Sequence, residues 1–225
     1  MPLLCSTVIP AHFVHGFATR EVDLEAAVAA AGMRLYRARQ VHGAEVLEVG
    51  PETDPAVVRA TDGDIVLTAA PRLAAAVATA DCVPILLCAP AHGACAAVHA
   101  GWRGTALRAV HAGVRALVAR TGAAPAELCA VIGPCICPDC YEVGDEVVQQ
   151  LAPLDGAAVR RGPDGRPHAD LRQANRALLL AAGLASTRIG DVAGCTRCDP
   201  AARFHSYRRD RERRGSQLAF IGRTV

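Results

Sequence analysis

LAAAVATADCVPILLCAPAHGACAAVHAGWRGTA, from Leu73 to Ala106, carries three apolar runs in succession. Ala80-Asp81-Cys82 divides the first from the second, and a Pro- and Gly-bearing break precedes the third, GACAAVHA. Short apolar runs bounded by turn residues read as buried strands. The second begins beside a thiol, Cys82, and the third closes on an imidazole, His99, followed at once by Gly101-Trp102-Arg103-Gly104. Thr105–Arg120 (TALRAVHAGVRALVAR) then has apolar residues at helical spacing, with Thr105 as the expected N-cap.

Outward from this block, Val22–Gly32 reads as a helix with Asp23 as its cap and Gly32 as its stop. RLYRARQVHGAEVLEV alternates about a turn at His42–Gly43, which predicts a hairpin or two successive strands. PETDPAVVRATDG reads as a loop and DIVLT as a strand. LCAVIGP, DVAGC and QLAFIGR are further short strands, and Gly144–Leu151 and Asp170–Ala182 are helices. RRGPDGRPHAD is expected to be a surface loop, and RFHSYRRDRERRGS a basic one. Strands and helices mix without regular alternation, repeat or linker, so the expectation is one α+β domain over residues 1–225.

Hydrophobic residues make up 52% of the 225 and charged residues 20%, enough apolar material for a packed core. Aromatics are only 4%, so that core must rest on Ala, Val, Leu and Ile. The net charge of +2 gives no reason to expect nucleic acid binding. All 24 basic residues are arginine, which excludes Schiff-base chemistry and the lysine-bearing phosphate loop. No signal peptide or membrane-length apolar run is seen, so a soluble cytoplasmic protein is expected, monomeric or a small homo-oligomer. In that setting ten cysteines point to thiols or metal ligands, not to a disulfide framework.

His42, Cys82 and His99 each lie at or near the end of a strand-like run. Two imidazoles and one thiolate match a three-ligand zinc site with a fourth position open to water, and Asp81 would orient a ligand from behind. Spacing alone leaves open a buried thiol with two loop histidines. Gly101–Thr105 is either an anion seat at a helix start, with Arg103 as a bidentate partner, or a tight strand-to-helix turn. The basic run Arg203–Ser216, with Tyr207 and Arg208, either clamps a phosphate and stacks a base or is simply solvated. Cys135, Cys137, Cys140, Cys195 and Cys198 include two CxxC units. Their long separation and missing knuckle glycines favour isolated thiols over a second metal.

QVHGAEV, TDGDIVLT, ATADCVPILL, AVHAGWRGTA, IGPCI, CYEVGDEV, HADLRQAN and CTRC with FHSYRRD occur here in one order. Together they resemble the YfiH-like laccase-domain family, long labelled polyphenol oxidase and now understood as purine nucleoside phosphorylases with adenosine deaminase activity. The resemblance covers nearly the whole chain. It implies a mixed β-sandwich-like core flanked by helices and a metal triad at His42, Cys82 and His99. The metal would be zinc, with copper as the alternative, and the partners nucleoside and phosphate. Phosphate and base would then meet Trp102, Arg103, Tyr207 and Arg208, with Cys82, Asp81 and Glu142 as candidate catalytic groups. Two departures stand out: HGFATREVDLEAAV passes almost directly into a helix where relatives have a longer loop, and Asp139 stands where many have cysteine. The competing readings are a copper-dependent phenol oxidase, disfavoured by 8 histidines and no HxH pair, and a hydrolase editing a peptidoglycan-precursor nucleotide with Cys82 as nucleophile.

Overall fold

The three apolar runs of the central block are strands whose alternate residues face opposite ways, as a pleated backbone requires. The structure is a computed structural model that describes residues 3–162, 164–211 and 215–225. Its strands are β1 (Val14–Phe17), β2 (Arg34–Tyr36), β3 (Val46–Glu48), β4 (Ile65–Thr68), β5 (Leu73–Thr79), β6 (Val83–Ala89), β7 (Ala94–Ala100), β8 (Cys129–Ile132), β9 (Val159–Arg161), β10 (Pro167–Ala169), β11 (Ile189–Asp191) and β12 (Gln217–Gly222). The helices are α1 (Leu24–Ala30), α2 (Pro55–Ala60), α3 (Trp102–Ala106), α4 (Ala109–Thr121), α5 (Asp145–Leu151), α6 (Leu171–Ala181) and α7 (Tyr207–Asp210).

Two open mixed sheets lie face to face, one in the order β11-β8-β6-β7-β4-β3 and the other β1-β12-β5-β2. Parity assigns each residue to a layer. Val83, Ile85 and Leu87 of β6 and Ala96 and Val98 of β7 pack on Val110, Val114 and Leu117 of α4. The residues between them, Leu86, Cys88, Cys95 and Ala97, meet Ala75, Val77, Ala219 and Ile221 of the second sheet. Ala74, Ala76 and Phe220 on the outer face of that sheet are covered by Leu24 and Val28 of α1. The result is one α+β domain, a β-sandwich with helices outside both sheets. Full burial of Leu117 alone contributes about 1.5–3 kcal/mol. Close approach also matters: a Cβ on Gly113 of α4 would lie 2.9 Å from Val98 Cγ2. Among the described residues no helix is long and apolar enough to cross a membrane.

Several expectations need correction. Of the two alternatives for RLYRARQVHGAEVLEV, the two successive strands are found and the hairpin is not: β2 and β3 lie in different sheets. The loop 51–63 holds α2, capped by Asp54, whose carboxylate accepts from the Ala56 N–H at 2.8 Å. Thr105 caps nothing. It is buried inside the short α3, and Asn175 Nδ2 of α6 donates to its hydroxyl at 2.9 Å. The long helix starts only after Arg108, whose φ of 58° breaks the helical path. RRGPDGRPHAD holds the β9–β10 hairpin, with its residue 163 outside the described residues. The strand expected at DVAGC lies earlier, at Ile189–Asp191. The basic run contains α7, capped by Ser206, and its residues 212–214 lie outside the described residues.

The two CxxC units also come together. β11 pairs parallel to β8, and the pairing resumes past both strand ends at Cys135 and Cys195. Two segments running the same way from that point carry Cys137 and Cys140 beside Cys195 and Cys198, with all four sulfurs within 4.8 Å of one another.

Candidate functional site

The antiparallel register of β6 and β7 sets Val83 opposite Ala100 and Pro84 opposite His99. Cys82, just before β6, therefore reaches the same end of the sheet as His99. His42 arrives from the turn between β2 and β3, where its φ is 62°. The ligand atoms of His42, Cys82 and His99 all lie within 4.8 Å of one another, and the two imidazoles meet edge to face at 4.9 Å between centroids.

A buried carboxylate holds this arrangement together. Asp64, 1% exposed at the start of β4, accepts three backbone N–H bonds from the turn that carries His42. These come from Val41 at 3.1 Å, His42 at 3.0 Å and Gly43 at 2.7 Å. Its Oδ1 also pairs with His99 Nδ1 at 2.7 Å, which leaves Nε2 of His99 for a ligand. Burial works against charge on Asp64, yet the bonds from His99, Gly43 and Val41 hold its carboxyl below the usual carboxylate range. The part expected of Asp81, orienting a ligand from behind, is thus played by Asp64. The motif TDGDIVLT contains it, an acid leading directly into a fully buried strand.

The donor set fits a borderline-soft cation such as zinc or copper: one thiolate and two imidazoles, one of them fixed by a carboxylate. The space around it is shaped for the ligands. A Cβ on Gly101 would lie 2.9 Å from Cys82 Sγ and 3.0 Å from His42 Cδ2. Without metal, burial opposes the Cys82 thiolate, but the charge of His99 and the hydrogen bond from His42 pull its pKa down to about 6. His99 in turn is pushed up to about 9, because Cys82 and Asp64 outweigh its desolvation. The pair is thiolate and imidazolium at neutral pH, ready to exchange a proton for a cation.

The triad forms part of the wall of a cavity of about 530 Å³, within the range of small-molecule sites. Asp81, Trp102, Arg103, Tyr207 and Arg208 line it as well, so all the expected residues meet there except Glu142. Glu142 is exposed and pairs with Arg166 at 2.9 Å, outside the cavity lining. The Arg103 guanidinium stacks over the Trp102 ring at 4.2 Å, and that of Arg208 over Tyr141 at 4.9 Å. Helix α3 has only five residues, so Arg103 itself, not a helix dipole, supplies the positive charge. Tyr141 was not singled out from the sequence. It lines the cavity with its phenol pushed up to about 12, first by burial.

Asp81 has φ of 88° and is held from three directions. Its Oδ1 accepts from the Thr196 hydroxyl at 2.6 Å and its Oδ2 from the Arg208 N–H at 2.7 Å. Its carbonyl accepts from the Ile136 N–H at 3.0 Å. With both carboxylate oxygens committed, Asp81, the residue before Cys82, ties together two loops and the start of α7.

Residues 18–224 match a family model described as multi-copper polyphenol oxidoreductase laccase. A purine nucleoside phosphorylase of Deinococcus radiodurans is 40% identical over 207 residues, covering 91% of this chain and 76% of its own length. An adenosine deaminase from an unknown prokaryotic organism is 42% identical over 149 residues, 64% of this chain and 56% of its own length. The crystal structure of YlmD from Geobacillus stearothermophilus superposes with a TM-score of 0.84 at 32% identity, covering 96% of this chain and 93% of that one. In sequence and fold alike, this chain belongs to the YfiH-like laccase-domain family.

Proposed function

We propose that this chain is a purine nucleoside phosphorylase with adenosine deaminase activity, with zinc held by His42, Cys82 and His99. The observation that carries the reading is the meeting, in one cavity, of a three-ligand soft-metal set with two arginines and three aromatic rings. The names of the relatives supply the substrate class. When bound, zinc supplies Lewis acidity and an acidified water.

The remaining work falls to the chain. In phosphorolysis a phosphate oxygen bonds to C1′ as the C1′–N9 bond breaks, and the departing purine takes a proton. Arg103 and Arg208 bind the phosphate through charge-assisted hydrogen bonds. Trp102 and Tyr207 flank the purine, and Tyr141, kept protonated by burial, donates to the leaving base. In deamination water attacks C6 and ammonia leaves, with no call on the phosphate site. Asp81 is a positioning residue in this scheme, since Thr196 and Arg208 already occupy its oxygens.

The polyphenol-oxidase reading asks for several copper centres rich in histidine. Among the described residues the groups within metal-binding reach are the triad and the four-cysteine group. The test of the nucleoside reading is chromatography of adenosine incubated with metal-replete protein, with and without phosphate. Adenine and ribose 1-phosphate are expected with phosphate, with inosine as the minor product there and as the sole product when phosphate is omitted. Cys82→Ala abolishes both reactions. Adenosine left untouched in both incubations overturns the proposal and makes the precursor-nucleotide hydrolase the next activity to assay.

A further inference from the structure

We propose that Cys137, Cys140, Cys195 and Cys198 form a second, structural zinc site, separate from the triad and independent of the nucleoside reading. Their four sulfurs lie within 4.8 Å of one another. A tetrahedral centre with Zn–S of about 2.3 Å places its sulfurs about 3.8 Å apart. Cys137 Sγ and Cys198 Sγ are separated by 3.8 Å. Four protein ligands leave no open position, which is the signature of a structural site.

The local backbone is arranged for bound thiolates. Cys195 Sγ accepts the N–H of Cys198 at 3.5 Å, within its own CxxC turn, and the N–H of Cys137 at 3.3 Å from the other turn. Such N–H bonds stabilise negative sulfur. The first CxxC turns through a 3-10 segment, Pro138–Cys140, so the glycines missing from these turns are not needed to bend it. Zinc with four thiolates carries two negative charges. Arg197, which donates from Nη1 to the Cys140 carbonyl at 2.9 Å, and Arg209, which donates to the carbonyl of Thr196 at 2.9 Å, are the neighbouring cations. Asp139 takes no part and pairs with Arg160.

The position gives the site a purpose. One clamped turn continues from Ile136, whose N–H reaches the Asp81 carbonyl, and leads into Tyr141 of the cavity wall. The other holds Thr196, whose hydroxyl fixes the Asp81 carboxylate. Locking the two turns together fixes the residue next to Cys82 without touching substrate.

The test counts zinc and maps protected thiols in protein purified under reducing conditions. Native mass spectrometry is expected to show two zinc ions, one per ligand group. Cys195→Ser/Cys198→Ser loses one and keeps the other, whereas His42→Ala/Cys82→Ala loses the other one. Iodoacetamide mapping of the wild type needs no variant to fold. Cys5 and Cys198 are both exposed, so in metal-free protein both label readily. With zinc bound, all four cluster cysteines are expected to label about tenfold more slowly than Cys5 until a chelator is added, because coordination removes the reactive thiolate. Labelling as fast as Cys5 in zinc-replete protein overturns the proposal. So do two disulfides within the cluster, or a zinc count unchanged by the Cys195/Cys198 variant.

Discussion

Replacing Asp64 with asparagine removes one charge and leaves the shape, and its consequences follow from the hydrogen bonds. Four donors converge on this carboxylate: the N–H groups of Val41, His42 and Gly43, and His99 Nδ1. An asparagine offers one oxygen, which serves two of them, and its amide group faces the others donor to donor. Two unsatisfied donors cost about 1–3 kcal/mol each when sealed from water. Val41 and His42 are exposed, so water replaces part of the loss, and the lower part of that range applies, about 2–4 kcal/mol in all. In a domain of this size that lowers Tm by about 4–16 °C. The effect on the metal is separate. Loss of the carboxylate behind a ligating histidine lowers metal affinity about 10–100-fold.

The pH dependence has a definite sign. The carboxyl of Asp64 is held below its usual range in the fold, so its contribution is complete above the unfolded pKa of about 3.9 and is lost as pH falls through the lower folded value. The gap in stability between wild type and Asp64→Asn is therefore full at neutral pH and closes in acid. Differential scanning calorimetry of the zinc-free proteins measures the first effect, and competition with a chromophoric chelator the second. Unchanged zinc affinity and an unchanged Tm would refute the role given to Asp64. A lower Tm with unchanged zinc affinity would confine it to stapling the His42 turn.

Three further outcomes are expected. Gly101→Ala keeps the fold, because φ of −75° suits alanine, but weakens zinc binding by displacing Cys82 and His42, as the same chelator competition will show. Arg103→Ala raises KM for phosphate about 10-fold or more, in line with the loss of a hydrogen bond to a charged group, and leaves phosphate-free deamination nearly intact, as product chromatography will show. In zinc-free protein the alkylation rate of Cys82 rises with pH about a midpoint near 6, and His99→Ala moves that midpoint upward, which rate measurements from pH 4 to 9 will test.

What could be read from the chain alone follows the range of the interactions. The run from Leu73 to Ala100 is legible as three strands because apolar composition and turn residues are local signals, and the caps Asp23 and Asp170 are local too. Thr105 looked like a cap because its neighbours in sequence allow it. Its hydroxyl is instead used by Asn175, seventy residues away. The hairpin β9–β10 is short and polar and carries no apolar alternation to betray it. The triad residues stand out by residue type and strand-end position, whereas the role of Asp64 does not, because its partners lie 21 to 35 residues away in sequence.

The same distinction explains why the paired CxxC turns read as isolated thiols. Each turn is short, but the register that joins them is a parallel pairing between β8 and β11, with α5, α6 and the β9–β10 hairpin threaded between. Parallel strands need such a long crossover, so the pairing leaves no local trace. Asp81 shows what that pairing accomplishes. A non-glycine residue at φ of 88° persists only where its surroundings over-determine it. Here the bonds come from Ile136 and Thr196, one on each of the two joined segments, and from Arg208 at the start of α7. The strained turn before Cys82 is therefore held by long-range pairing, and the thiol's aim toward His42 and His99 depends on segments distant from all three in sequence.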